Sequence, residues 1–170
     1  APGDARNLGI SLAETELIGF LDMRTIPKQD WLQSSLDLLN KKQLKLIMGS
    51  FICRSQTKFQ KFVQAATFGY MPASSLPGSI LKKNTFEEIG GFVPTARAGE
   101  DQEWLTRAKQ IITKVGILNQ PTLEYIGLPE SSVELFKKWF FYSLENASIE
   151  VAQSQKTAYF FLLSLLFIYF

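Results

Sequence analysis

LIGFLDMRTIPKQDWLQSSLDLLNKKQLKLIMGSF, residues 17–51, reads as a strand, a helix and a second strand. The run 17–23 is continuously apolar up to Asp22, the pattern of a strand buried on both faces as in a parallel sheet. In the next segment Pro27 stands near a helix start and Leu32, Leu36 and Leu39 recur on one stripe. Lys41 and Lys42 follow at the carbonyl end, where the helix dipole favours cations. KLIMGSF, 45–51, supplies the second strand. A right-handed crossover makes the two strands parallel and places the chain in the α/β class.

On the amino-terminal side, Asn7 is a candidate cap for a short helix with Leu8, Leu12 and Leu17 at helical spacing. On the other side, Phe59, Phe62, Val63 and Ala66 sketch an amphipathic helix with Lys58 and Lys61 on its wet face. LPGSILKKNTFEEIGGF, 76–92, predicts a turn at Pro77 and Gly78, a strand at 79–82, and a short helix ending at Ile89 before Gly90 and Gly91. A clear helix spans Glu100 to Ile112, and two short strands follow near 114–118 and 122–126. Ser131 and Glu134 form an S-x-x-E capping box for a long helix whose predicted buried stripe is Val133, Phe136, Phe140, Leu144, Ala147 and Val151. With Lys137, Lys138, Trp139 and Phe141 widening its surface, this helix suits either packing on the sheet or lying in a bilayer interface with its lysines at headgroup phosphates.

Residues 157–170, TAYFFLLSLLFIYF, carry no charge. As a helix they would span about 21 Å against the ~30 Å hydrocarbon core of a bilayer. They read as the front of a truncated membrane helix or as a very apolar core helix. The opening APGDARN shows neither an initiator methionine nor a signal-peptide pattern, so both ends look cut.

The whole chain has 170 residues, 46% of them hydrophobic and 20% charged, which is enough apolar material for one core and excludes a disordered tail. A net charge of +2 gives no electrostatic case for a nucleic-acid partner. The absence of histidine removes Ser-His-Asp triads and histidine-based zinc sites, and the single Cys53 excludes an intramolecular disulfide. Walker, GxGxxG, CxxC and HExxH motifs are all missing.

Two acids stand where chemistry could occur. Asp22 ends an apolar strand, where open α/β sheets bind ligands, and can be a structural cap, a partner of Arg24 or a ligand of a divalent cation. Asp101 shares a helix face with Leu105, Ala108 and Ile112, so it tops the inward face, while Glu100 is rotated away and Glu103 pairs with Arg107 on the outside. Gly78 and Ser79 form either a plain turn or a place where a ligand approaches the backbone.

Four segments in order resemble the family 2 glycosyltransferases: DARNLGISLAETELIGFLDMRTIPKQDWL (4–32), GSILKKNTFEEIGGF (78–92), GEDQEWLTR (99–107) and the basic aromatic LFKKWFFYS (135–143). The resemblance implies a partial GT-A nucleotide-diphospho-sugar transferase fold with a mixed sheet, followed by an amphipathic helix and the start of a transmembrane helix. It further implies inverting transfer of a sugar from a nucleotide-sugar donor to a hydroxyl of a lipid-linked or glycan acceptor. Asp22 would hold Mg2+ or Mn2+ on the donor diphosphate and Asp101 would be the general base. Arg24, Gly78, Ser79 and Glu100 would belong to the cleft, and Trp104 would be either an apolar wall beside a sugar or helix packing. Arg24 stands where the family commonly has a second acid, so it either binds diphosphate directly or marks a degraded metal site.

The expected organisation is the C-terminal part of a catalytic domain at 1–129, an amphipathic interfacial region at 130–156 and the start of a membrane helix at 157–170. The family's first strands would precede Ala1, so the isolated piece would be inactive. The expected location is a membrane with the catalytic part on the cytoplasmic side. A non-catalytic membrane-tethered domain and a related nucleotidyltransferase are the competing readings.

Overall fold

The computed structural model describes residues 1–148, which form a mixed six-stranded sheet flanked by helices. The elements in chain order are α1 (Pro2–Leu12), β1 (Leu17–Gly19), β2 (Thr25–Pro27), α2 (Trp31–Lys41), β3 (Leu46–Cys53), α3 (Lys58–Thr67), β4 (Ala73–Lys82), α4 (Lys83–Ile89), α5 (Glu100–Ile111), β5 (Val115–Ile117), β6 (Leu123–Tyr125) and α6 (Ser132–Ser148). The strand order is β1-β4-β3-β6-β2, with β5 also on β3. The central strand, β3, is antiparallel to β4 on one edge. On its other edge it is parallel to β5 through Leu46–Met48 and to β6 through Phe51–Cys53.

The expected crossover needs one correction. β1 and β3 do run in the same direction, but only because each pairs antiparallel with β4, which lies between them. β1 is therefore an edge strand, and its burial alternates instead of continuing on both faces. Pro27 falls in β2 rather than at the start of α2; β2 is the opposite edge, where a missing N–H costs no ladder bond.

Apolar alternation along β3 divides the core. Leu46 and Met48 join Leu81, Trp104, Leu105 and Ala108 on the face covered by α1, α4 and α5, while Ile47 joins Ile80 and Leu39 beneath α2. Trp104 is completely buried, stacked on Phe86 with centroids 5.7 Å apart and tilted against Phe92 at 5.3 Å. Its indole N–H donates to the Gly90 carbonyl at 2.9 Å. A third cluster of Cys53, Val63 and Leu128 is completed by Phe59 of α3 and by Leu135 of α6. Burial there pushes the Cys53 thiol up to about 11, the state of a small apolar side chain.

The predicted turn at Pro77 and Gly78 is instead an irregularity within one long strand, β4, whose register with β3 shifts between Ile47 and Gly49. Gly49 makes the crossing possible, since a Cβ there would lie 2.1 Å from the Pro77 carbonyl oxygen. Gly78 takes φ 85° at the same place.

Asn7 is inside α1, not at its cap. Its carboxamide donates to the Phe92 carbonyl and accepts from the Phe92 N–H, both at 2.9 Å. In α6 the phase differs from the predicted one: Val133, Phe136, Phe140 and Leu144 are exposed, and Leu135 and Lys138 turn inward. Ser131 does accept the Glu134 N–H at 3.3 Å, but the Glu134 carboxylate accepts from Glu130 N–H, so the box is closed one residue early. The run 157–170 lies outside the described residues, among which no helix is long and apolar enough to cross a membrane.

Candidate functional site

A cleft of about 450 Å3 opens where the loop after β1, the head of α5 and the inward side of α6 meet. Asp22, Glu100 and Asp101 all line it, so the structure brings together acids that are far apart in sequence.

Asp101 is the second residue of α5, which starts after Gly99. Its Oδ1 accepts the N–H of Gln102 at 2.8 Å. Burial, aided by the negative charge of Glu100, raises its carboxyl above the ordinary aspartate value, and the Gln102 N–H and Arg6 oppose that rise only in part. A carboxylate with a raised proton affinity at the wall of a cleft is suited to accepting a proton. Glu100 has a different position: it is buried and ion-paired with Arg6 of α1.

Asp22 is held by a turn. Thr25 Oγ1 donates to the Asp22 carbonyl at 2.7 Å and accepts the Asp22 N–H at 3.2 Å, while Met23 projects into solvent at the tip. No ion pair joins Asp22 to Arg24 among the described residues. Nor do the described residues contain a group of three or more acidic or thiol side chains placed to hold a metal. A cation would have Asp22 as its protein ligand and would need the remaining oxygens from a bound diphosphate and water, a donor set that suits Mg2+ or Mn2+.

Four of the expected cleft residues lie elsewhere. Arg24 is exposed and does not line the cleft; its aliphatic chain passes over Gly127, where an added Cβ would lie 2.5 Å from its Cδ. Ser79 is fully buried, its hydroxyl accepting the Gly49 N–H at 2.8 Å and donating to the Ser75 carbonyl at 3.0 Å. Gly78 is buried under Thr122 and gives its carbonyl to the Trp31 indole N–H at 2.8 Å, so their neighbours Ser75 and Pro77 form the cleft floor instead. Trp104 is in the core, which decides for helix packing over a sugar-facing wall.

Other cleft residues were not legible as such. Lys138, Trp139 and Tyr142 face the cleft from α6, although their basic aromatic composition pointed toward lipid headgroups. Lys138 Nζ donates to Tyr125 Oη at 2.9 Å and sits over the rings of Tyr125 and Tyr142, at 5.4 and 5.6 Å. Arg97 lies over Phe141 at 5.7 Å. The cleft thus combines cations and aromatic faces with its acids, which suits a ligand with both negative charge and flat, partly apolar surfaces.

No protein-family model matches the chain. It is 24% identical over 115 residues to the pre-mycofactocin glycosyltransferase of Mycobacterium tuberculosis, in strain CDC 1551 and in strain H37Rv alike, an alignment covering 59% of this chain and 24% of the relative. In structure it is similar to S. aureus TarS 1–349, with a TM-score of 0.55 and 13% identity over 92% of this chain and 48% of that one. The complex of TarS 1–349 with UDP-GlcNAc gives a TM-score of 0.57 and 12% identity over 92% of this chain and 50% of that one. The chain thus spans about half the length of the TarS structures and about a quarter of the curated relatives it matches. Its α/β architecture with a mixed sheet resembles that of a glycosyltransferase domain.

Proposed function

We propose that the protein is an inverting glycosyltransferase that moves a sugar from a nucleotide-diphospho-sugar to a hydroxyl of a lipid-linked or glycan acceptor. The observation that carries this reading is the meeting of Asp22 and Asp101 in one cleft, with Asp101 at raised proton affinity. TarS has been crystallised with UDP and with UDP-GlcNAc, which supports a nucleotide-sugar donor.

Asp101 accepts the proton of the acceptor hydroxyl as that oxygen attacks the anomeric carbon. The bond from that carbon to the diphosphate oxygen breaks, and the nucleoside diphosphate leaves with the electron pair. Attack from the face opposite the leaving group inverts the anomeric centre. Asp22 and the donor's diphosphate would hold Mg2+ or Mn2+, whose charge offsets the charge developing on the leaving group. Lys138 and the aromatic wall orient the bound molecules and exclude water.

The outward stripe Val133, Phe136, Phe140 and Leu144 supports a membrane-associated enzyme in which α6 lies on the cytoplasmic lipid surface. Arg24 in place of a second acid, and outside the cleft, favours as second reading a tethered domain that no longer turns over. Titration of the full-length protein with UDP-GlcNAc, with and without Mn2+, separates the two. The enzyme reading expects metal-enhanced donor binding that D22A removes; no binding under either condition favours the inactive domain.

A further inference from the structure

Glu100, the residue before Asp101, is buried, and a carboxylate in that position without a partner would be strongly destabilising. Its partner is Arg6 of α1, whose guanidinium also lies over the Phe92 ring at 5.5 Å. The adjacent Asn7 holds the Phe92 backbone through both its N–H and its carbonyl. One turn earlier, Gly3 is so close to the same segment that a Cβ would lie 2.7 Å from the Val93 carbonyl oxygen and 3.5 Å from Glu100 Cγ. Meanwhile Leu8 and Leu12 of α1 face solvent, and Gly3 and Ile10 are its buried residues. The helix is therefore fastened to the segment leading into α5 chiefly by polar and close backbone contacts rather than by a broad apolar face.

We propose that Arg6 is a positioning residue for sugar transfer: through its ion pair with Glu100 it fixes the first turn of α5, and with it the Asp101 carboxylate, at the wall of the cleft. The inference rests on Asp101 as proton acceptor. The charged and titratable groups that line the cleft with Asp101 are Glu100 on its own helix, Arg6 from α1, Asp22 from the loop after β1, Arg97 before α5, Tyr125 from β6, and Lys138 and Tyr142 from α6. Glu103 is engaged by Arg107. Glu100 raises the proton affinity of Asp101 and Arg6 lowers it, so removing one charge or the other moves the Asp101 titration in opposite directions. Those shifts report the charges beside Asp101; positioning is read from kcat, which a pair that only supports the fold would leave unchanged.

The test uses the full-length protein and its R6M, R6K, E100Q and D101N variants. Asp101 is titrated by carboxyl 13C NMR, its signal assigned by loss in D101N, and kcat and KM are measured against pH. The expected result is an Asp101 titration moved to higher pH in R6M and to lower pH in E100Q, with the acid limb of kcat following. At neutral pH R6M loses about 10–100-fold in kcat with donor KM within about twofold, and R6K recovers much of the loss. Arg6 also lines the cleft, so a raised donor KM with unchanged kcat in R6M would make it a donor contact and overturn the proposal. Titrations unmoved in both variants would overturn it as well. Should R6M not fold, the near-isosteric E100Q decides: kcat at its pH optimum lowered with donor KM within about twofold supports the proposal, and an optimum kcat equal to wild type overturns it. Wild-type turnover in D101N alongside the opposite titration shifts would instead remove the proton-acceptor reading and leave the Arg6–Glu100–Asp101 coupling standing.

Discussion

Helices α5 and α6 form two sides of the same cleft, yet they differ in sequence and in the way they are held: α5 carries the single aromatic Trp104, α6 a run of them. α5 is locked by Trp104, Leu105 and Ala108 in the main core, and the acid at its head is set by that anchorage. α6 touches the body through Leu135 and through cleft residues such as Lys138, while its longest apolar stripe faces outward. Periodicity identifies an amphipathic helix in both cases, but it does not say which partner the apolar face meets. The partner is the sheet for α5, and lipid is the partner proposed for α6.

The comparison can be broken most severely at Trp104. W104A removes a fully buried ring from an aromatic cluster, and a loss of about 3–5 kcal/mol is expected in denaturant unfolding. A loss below about 1 kcal/mol would mean that α5 is not anchored as described. G49A comes next: its methyl would meet the β4 backbone at the irregularity that presents Ser75 and Pro77 to the cleft, at a cost of about 1–3 kcal/mol. Donor affinity is expected to fall with it, because the cleft floor moves. The smallest effect belongs to α6. F136S with F140S should change stability by no more than about 0.5 kcal/mol, since both rings are already exposed. The same pair should weaken flotation of the full-length protein with anionic vesicles, and unchanged flotation would remove α6 from the lipid surface.

Much of the fold was legible because long apolar elements dictate themselves. α2, β3, α4 and α5 lie close to where Leu36 and Leu39, LIMGSF, the Gly90 stop and the Asp101–Leu105–Ala108 face place them. What misled was pairing that sequence spacing does not encode: β4 slips between β1 and β3 and makes them same-direction strands that never touch. In the cleft, Asp101 was legible as an acid at a helix start and Asp22 as one ending a strand; both line the cleft, although β1 stops at Gly19 and Asp22 sits in the turn after it. Gly78, Ser79 and Arg24 were misplaced because the β4 irregularity turns Ser79 into a buried clamp on Gly49 and the 22–25 turn carries Arg24 past the opening. Lys138 was legible as a cation but not as a cleft residue, since the helical phase of α6 is settled by where Leu135 docks.

The central claim is that Asp101 takes the proton from the acceptor, and the most direct measurement is sugar transfer by full-length D101N beside wild type across pH. The sign for stability is fixed by the direction of the shift. The folded-state proton affinity of Asp101 is raised, so its ionisation opposes folding once pH rises above the ordinary aspartate value. Replacing it with Asn should therefore leave the protein at least as stable as wild type at neutral pH, with the difference vanishing in acid. The account predicts a well-folded D101N that binds donor normally and transfers sugar about 10²–10⁴-fold more slowly, having lost the acid limb seen in wild type. A folded D101N with wild-type turnover and an unchanged pH profile would contradict it.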